Sequence, residues 1–302
     1  MRVWVGFAVV SVGLLALTQC HLLTGDYETA TGTTAGIGGG VGGGTTTSTT
    51  ASGGAATALV SQDVVARYFF DDAAEGDMPQ QAADSAPAPA LPINIDYGET
   101  GSGGHPHGVS WTEQQGHRGL RWLWHDSGGR AETPISDTKL TDALASSTEL
   151  TVELVTQLAG YVVDTRLLVI GDSSSGILNL RVHDESQLDL EHTINLSVIG
   201  LWQVALLERH VLHVVIDTTQ DVEEDRVKLY SDGVLISNAG SAVIAHNELL
   251  NISAGDLMLG NDGNYNSIEG TIFYAAVYSR ALTPAQVQNN AAILLVDDDR
   301  PE

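Results

Sequence analysis

From Leu59 to Val296, short runs of β-branched and aliphatic residues recur between clusters of Gly, Asp, Asn and Ser. That spacing predicts an all-β sandwich. In Thr148–Leu154, the side chains of Leu150, Val152 and Leu154 point one way and those of Thr151 and Glu153 the other, which predicts a strand with one core face and one wet face. His210–Asp217 is apolar on both faces apart from its histidines, so a central strand covered on both sides is expected there. In RVKLYSDGVLIS, Arg226–Ser237, two alternating runs flank Asp232-Gly233, a pair suited to the two positive-φ positions of a type I′ turn. Such a hairpin pins the register of Val227, Leu229 and Ser231 against the returning strand. One helix is expected. Thr283 offers an N-cap hydroxyl, Pro284 the first helical position and Gln286 the reciprocal half of a capping box, and the helix should run to about Leu294. No repeat at solenoid or propeller period interrupts this order.

Outside that stretch the pattern changes. Met1-Arg2 is a minimal positive start, and Val3–Leu17 is an apolar run of signal-peptide length, short for a membrane span. Cys20 follows in Leu17-Thr18-Gln19-Cys20, similar to a bacterial lipobox except that Gln19 stands where a small residue is usual. From Ala30 to Ala58 the composition collapses to Gly, Thr, Ser and Ala, which reads as a flexible tether. The expected boundaries are a signal segment over 1–20, a tether over 21–58, a sandwich over 59–296 and a frayed acidic tail over 297–302. Export follows as the expected localisation, to the cell envelope by a lipid on Cys20 or to the exterior.

Charge narrows the partners. A formal net charge of −25, from 13 Lys plus Arg against 38 Asp plus Glu, opposes nucleic acid, whose binding rests on basic side chains. Lys139 and Lys228 are the only lysines, so a basic patch for anionic lipid is equally disfavoured, and membrane contact is expected only through the N-terminal lipid. With Cys20 as the single cysteine, no internal disulfide can support the domain.

Three blocks resemble the laminin G-like, or concanavalin A-like, jelly-roll domains of bacterial secreted proteins. Val65-Ala66-Arg67-Tyr68-Phe69-Phe70-Asp71-Asp72, followed by Asp84-Ser85, is similar to the first strand of that family. His213-Val214-Val215-Ile216-Asp217 and Leu229-Tyr230-Ser231-Asp232-Gly233 resemble its middle signature. Leu259-Gly260-Asn261, Glu269-Gly270-Thr271-Ile272 and Val277–Val287 resemble its ending. Trp122-Leu123-Trp124 and Leu212 depart from the family pattern. The resemblance implies a two-sheet antiparallel jelly-roll β-sandwich and a non-catalytic module for carbohydrate or an extracellular protein. A glycosidase or lyase on the same scaffold, and a structural envelope protein, are the alternatives.

Candidate chemistry is sparse. Gln187, Asp189 and Glu191 alternate along one strand face and resemble the Glu-x-Asp-x-Glu motif of jelly-roll glucanases, but a glutamine stands in the nucleophile's place and cannot form the glycosyl ester. An exposed acidic strand face is the simpler reading. No Gly-x-Ser-x-Gly elbow is present. His105 and His107, near His117 and His125, lack a complete zinc set, and His213 reads as a packed strand histidine. Calcium is the favoured ion by resemblance, because relatives bind it at the sandwich rim. Asn261, Asp262 and Asn264 cluster the hard oxygens it needs. Trp111 and Tyr265, in polar segments, are the expected exposed platforms for a sugar, with Asn264 beside them, whereas Trp122 and Trp124 read as core.

Overall fold

A computed structural model describes residues 58–98, 108–125, 128–172, 176–184, 186–192, 197–240, 244–262 and 266–299. By its contacts the chain divides into Met1–Ser52 and Gly53–Glu302, and the described residues all belong to the second unit. Cys20, His105, His107, Asn264 and Tyr265 lie outside the described residues.

In chain order the elements are β1 (Val64–Phe69), β2 (Gln81–Ala82), β3 (Ile93–Asp96), β4 (Val109–Gln114), β5 (His117–Trp122), β6 (Arg130–Pro134), α1 (Lys139–Leu144), β7 (Glu149–Gly160) and β8 (Arg166–Asp172). They continue with β9 (Gly176–Asp184), β10 (Gln187–His192), β11 (Ser197–Gln203), β12 (His210–Asp217), β13 (Val227–Ser231), β14 (Val234–Ile236), β15 (Asp256–Leu259), β16 (Glu269–Tyr278) and α2 (Pro284–Leu294). Sheet A runs β14-β13-β12-β7-β16-β5-β4, with β1 also on β16, and sheet B runs β11-β10-β9-β8-β15-β6-β3-β2. Every pair of named strands is antiparallel. The protein is therefore the expected two-sheet antiparallel sandwich with a short C-terminal helix.

Alternation explains how the sheets face each other. Leu150, Val152 and Leu154 of β7, Leu212, Val214 and Ile216 of β12, and Leu178, Leu180 and Val182 of β9 all enter one core between the sheets. Trp111, Trp122 and Trp202 fill its largest volumes. Gly260 keeps a positive φ of 70° beneath the Trp122 ring, where an added Cβ would meet ring carbons at 2.4 Å. A side chain there would force Trp122 out of its packing.

A second apolar cluster lies on the opposite face of sheet A, where Val211, Val215, Tyr274 and Tyr278 meet Val287, Ala291 and Leu294 of α2. This confirms β12 as covered on both faces and corrects the wet face expected for β7. Thr151 and Glu153 are fully buried there. Thr151 Oγ1 donates to the Arg280 carbonyl at 2.8 Å and accepts from Leu282 N at 3.0 Å, tying β7 to the segment that leads into α2. Glu153 receives His213 Nε2 at 2.7 Å, Tyr274 Oη at 2.8 Å, Tyr278 Oη at 3.0 Å and Asn290 Nδ2 at 2.8 Å. One carboxylate thus joins β7, β12, β16 and α2.

The capping box of α2 is formed as expected: Gln286 N donates to Thr283 Oγ1 at 3.3 Å and Thr283 N to Gln286 Oε1 at 3.0 Å. The short α1, capped by Thr138, is not announced by any apolar period in the sequence. Within the acidic tail, Asp298 is docked rather than frayed. Asp298 is fully buried, held by Arg209 Nη2 at 2.7 Å and His117 Nδ1 at 2.6 Å. Arg209 also donates to the carbonyls of Leu294 and Leu295 at the end of α2, which complements that end's partial negative charge.

The hairpin has the expected two-residue turn, with φ of 53° at Asp232 and 79° at Gly233 and with Ser231 opposite Val234. Asp232 additionally accepts from Val211 N at 2.9 Å and contacts His210 Nδ1 at 2.6 Å, so the turn is fixed to the start of β12. A Cβ at Gly233 would come within 3.3 Å of Gln288 Cα and Ala291 Cβ on α2. Gly233→Ala is expected to cost about 1 kcal/mol, through left-handed strain and this contact, and to lower Tm by about 2–4 °C. An unchanged melting curve would contradict the turn assignment.

Candidate functional site

Helix α2 covers the outer face of sheet A, whereas among the described residues no helix or strand packs on the outer face of sheet B. Strand alternation decides what that face carries. Because Leu178, Leu180 and Val182 turn inward, Asn179, Arg181 and His183 turn outward on β9; because Leu188 and Leu190 turn inward, Gln187, Asp189 and Glu191 turn outward on β10.

Register aligns these outward positions across the whole sheet. Val198, Glu191, Asn179, Val169, Met258, Glu132, Asn94 and Gln81 are successive cross-strand partners from β11 to β2. At about 4.8 Å per strand the row extends on the order of 30 Å. From the apolar Val198 at the β11 edge it passes through polar Glu191 and Asn179, apolar Val169 and Met258, and polar Glu132, Asn94 and Gln81.

Arg181 organises one end. Its Nε and Nη2 reach the two oxygens of Asp189 at 2.7 and 2.9 Å, a bidentate fork, while Nη2 also reaches Glu191 Oε1 at 2.7 Å and Nη1 reaches Asp164 Oδ1 at 2.9 Å. His183 Nδ1 contacts Asp189 at 2.9 Å, and Asn179 Nδ2 donates to Glu191 at 3.0 Å. Asp189 is fully buried and Glu191 only 5% exposed, so the expected exposed acidic strand face is corrected to a desolvated ion cluster. The reason is Arg181, which lies directly opposite Asp189 on the neighbouring strand.

Burial pushes the Glu191 carboxyl up, reinforced by Asp189 and opposed by Arg181, Arg166 and Asn179. Burial works against the charge of Arg181, but the bonds and charges of Asp189, Glu191 and Asp164 outweigh it and hold the guanidinium above its ordinary value. Further along the row, Glu132 is also pushed up, first by burial and then by Asp256 and Asp96, against the pull of Arg130 at 3.4 Å. The side-chain amide oxygen of Asn179 is buried without a hydrogen-bond partner among the described residues.

The other expected site residues divide differently. Trp111 is corrected from exposed platform to core: it is 1% exposed, its indole N–H donates to Tyr97 Oη at 2.9 Å, and its ring meets the edge of Phe70 at 6.1 Å. Alternation on β4 turns it inward although its sequence neighbours are polar. Trp122 is core as expected, but β5 ends there, so Trp124 does not share its strand face. His213 is packed against Glu153 as expected. Asn261 is buried, with Nδ2 donating to the Gly129 carbonyl at 3.0 Å and Oδ1 accepting from Asp262 N at 2.7 Å. The Asp262 carboxylate accepts from Asn266 at 2.8 Å and faces Arg166 at 3.5 Å. These two members of the expected calcium set have protein partners, with the Arg166 cation beside Asp262, and the third, Asn264, lies outside the described residues. Among the described residues no group of three His, Cys, Asp or Glu side chains could hold a metal.

No protein-family model and no curated protein sequence matches the chain. Solved structures do match its fold. Domain 4 of AbnA, an extracellular GH43 arabinanase from Geobacillus stearothermophilus in complex with arabinotriose, aligns with TM-score 0.51 and 17% identity over 76% of this chain and 98% of that one. Trypanosoma rangeli sialidase aligns with TM-score 0.54 and 15% identity over 84% of this chain and 36% of the sialidase. The binding domain of Botulinum neurotoxin DC, in complex with rat synaptotagmin II, aligns with TM-score 0.53 and 10% identity over 78% and 52%. The chain thus spans about a third of the sialidase and half of the toxin domain. At these identities the likeness is one of fold: a β-sandwich found in carbohydrate-active and binding proteins.

Proposed function

We propose that this chain is an exported, surface-presented, non-catalytic module of the laminin G-like type that binds an oligosaccharide across the outer face of sheet B. The observation that carries the reading is the row from Val198 to Gln81, aligned through all eight strands of a sheet on whose outer face no described helix or strand packs, and accessible from Met258 through Glu132 and Asn94 to Gln81. Its accessible members divide the work: Glu132, Asn94 and Gln81 suit hydroxyl groups and half-buried Met258 suits an apolar ring face, while Val169, Asn179 and Glu191 are buried beneath them. Trp111, Trp122 and Trp202 are in the core, so on this face the row offers hydrogen bonds rather than these indoles. The arabinotriose named with the arabinanase domain supports the ligand class. The apolar start, Cys20 and the Gly/Thr/Ser tether support presentation beyond an envelope, anchored by a lipid.

A glycosidase is the second reading, favoured by the raised Glu191 carboxyl, the state a general acid needs. Gln187 in the nucleophile's place and the lock of Asp189 and Glu191 onto one guanidinium weigh against it. Incubating the purified chain with a panel of insoluble polysaccharides separates the two. Retention on at least one polysaccharide without new reducing ends is expected. Reducing ends that disappear in Glu191→Gln would replace the binding reading with the enzymatic one, and no retention on any polysaccharide would remove both.

A further inference from the structure

A second recess lies on the other side of the sandwich, where the outer face of sheet A emerges beside the start of α2. It encloses about 200 Å³. Val215 of β12, the Tyr230 ring of β13, Leu282 and Pro284 give it an apolar floor, and Asp217, Asp225 and Lys228 give it a charged rim. Neither the sequence motifs nor the sheet B face accounts for it.

The polar groups restrict what can enter. Tyr230 lines the recess at 5% exposure and brings a phenol, which can both donate and accept, to its wall. Lys228 Nζ lies 2.9 Å from Asp225 Oδ1, half of an accessible pair that leaves ammonium hydrogens and carboxylate lone pairs available. Burial pushes the Asp217 carboxyl up, but hydrogen bonds from Thr219 and Gln220 and the charge of Lys228 hold it below the ordinary carboxylate range, so it acts only as an acceptor. An anion would meet two carboxylates on a chain of net charge −25, and a metal ion would meet the ammonium of Lys228. A neutral ring with hydroxyl edges and an apolar C–H face meets neither penalty. The volume suits one such ring.

We infer that this recess is a second carbohydrate subsite, separate from the sheet B face, that takes a single neutral sugar ring or terminal residue between Tyr230, Lys228 and the two carboxylates. Donors come from Tyr230 and Lys228, acceptors from Asp217 and Asp225, and Leu282 and Pro284 support the apolar face. The hairpin that begins at Val227 thereby supplies two of the contacts.

The test is a titration of the full, ¹⁵N-labelled chain with neutral monosaccharides, among them arabinose, galactose and glucose, to about 100 mM, the range in which single-ring affinities fall. Saturable shifts at the amides of Lys228, Tyr230 and Leu282 are expected for at least one sugar. Tyr230→Phe and Lys228→Met should each weaken that sugar by about 5- to 10-fold with Tm unchanged, because each deletes one polar group from a formed pocket. Glu132→Ala, on the opposite sheet, should leave the titration unaltered, which separates this site from the proposed sheet B reading. No saturable shift at these amides for any sugar, or shifts that survive both pocket variants, would overturn the inference.

Discussion

Glu153→Gln is expected to destabilise the fold by about 3–5 kcal/mol, the usual consequence of disrupting a buried carboxylate that several donors hold. For a domain of this size that lowers Tm by on the order of 10 °C. The variant keeps the shape but replaces an acceptor-only carboxylate with an amide facing His213, Tyr274, Tyr278 and Asn290. Two of its new N–H groups then face donors. Burial alone would raise the Glu153 pKa, but hydrogen bonds from His213, Tyr274 and Asn290 and the charge of His213 hold it below the ordinary value. A carboxyl depressed in the folded state contributes its stability above the unfolded carboxylate range and loses it as pH falls through the folded value. The gap between wild type and variant should therefore be full near pH 7 and narrow in acid below about pH 4. Denaturant melts at the two pH values measure it, and a gap that widens in acid would contradict the ionised assignment.

Arg181→Met is the second large effect. It leaves fully buried Asp189 and nearly buried Glu191 without the guanidinium that binds both, so a loss of about 3–5 kcal/mol is expected. Most of that loss should return when Asp189→Asn and Glu191→Gln are added, because the uncompensated charge is then removed rather than stranded. If Arg181→Met melts like wild type, the cluster is solvated and the desolvated face described above is wrong. Retention on polysaccharide should fall in the single variant and stay low in the triple one, since the charge pattern facing the ligand is gone in both.

These two residues also mark where sequence reading stops. The alternation of Leu150, Val152 and Leu154 is visible within seven residues, and so is the core they enter. Glu153 reads as solvent-facing by the same alternation, because the helix that buries it begins 131 residues later, at Pro284. Local periodicity says which side a residue takes, not whether that side is covered. Asp298 is hidden from local pattern for the same reason: its partners Arg209 and His117 are distant in the chain. The hairpin at Asp232-Gly233 and the capping box at Thr283 were legible because each is closed within four residues.

At the site, the polar alternation of Gln187, Asp189 and Glu191 was legible, but its state was not. The matching alternation of Asn179, Arg181 and His183 in the preceding run was the signal that could have supplied the missing cation. Trp111 is the converse case: its sequence neighbours are polar, yet the period of β4 turns its indole inward. The row from Val198 to Gln81 needs the strand order of sheet B, which no local pattern encodes.

The most direct measurement is calorimetric titration of the retained glycan, in soluble oligosaccharide form, into wild type and Glu132→Ala. Glu132 lies in the row, is about one-third exposed and is held only at 3.4 Å by Arg130, so its removal should not unfold the sheet. If the ligand lies across sheet B, affinity falls about 10-fold while Tm is unchanged, the effect of deleting one charged hydrogen-bond acceptor from a formed site. Equal affinity in the two proteins would contradict the assignment of the binding face.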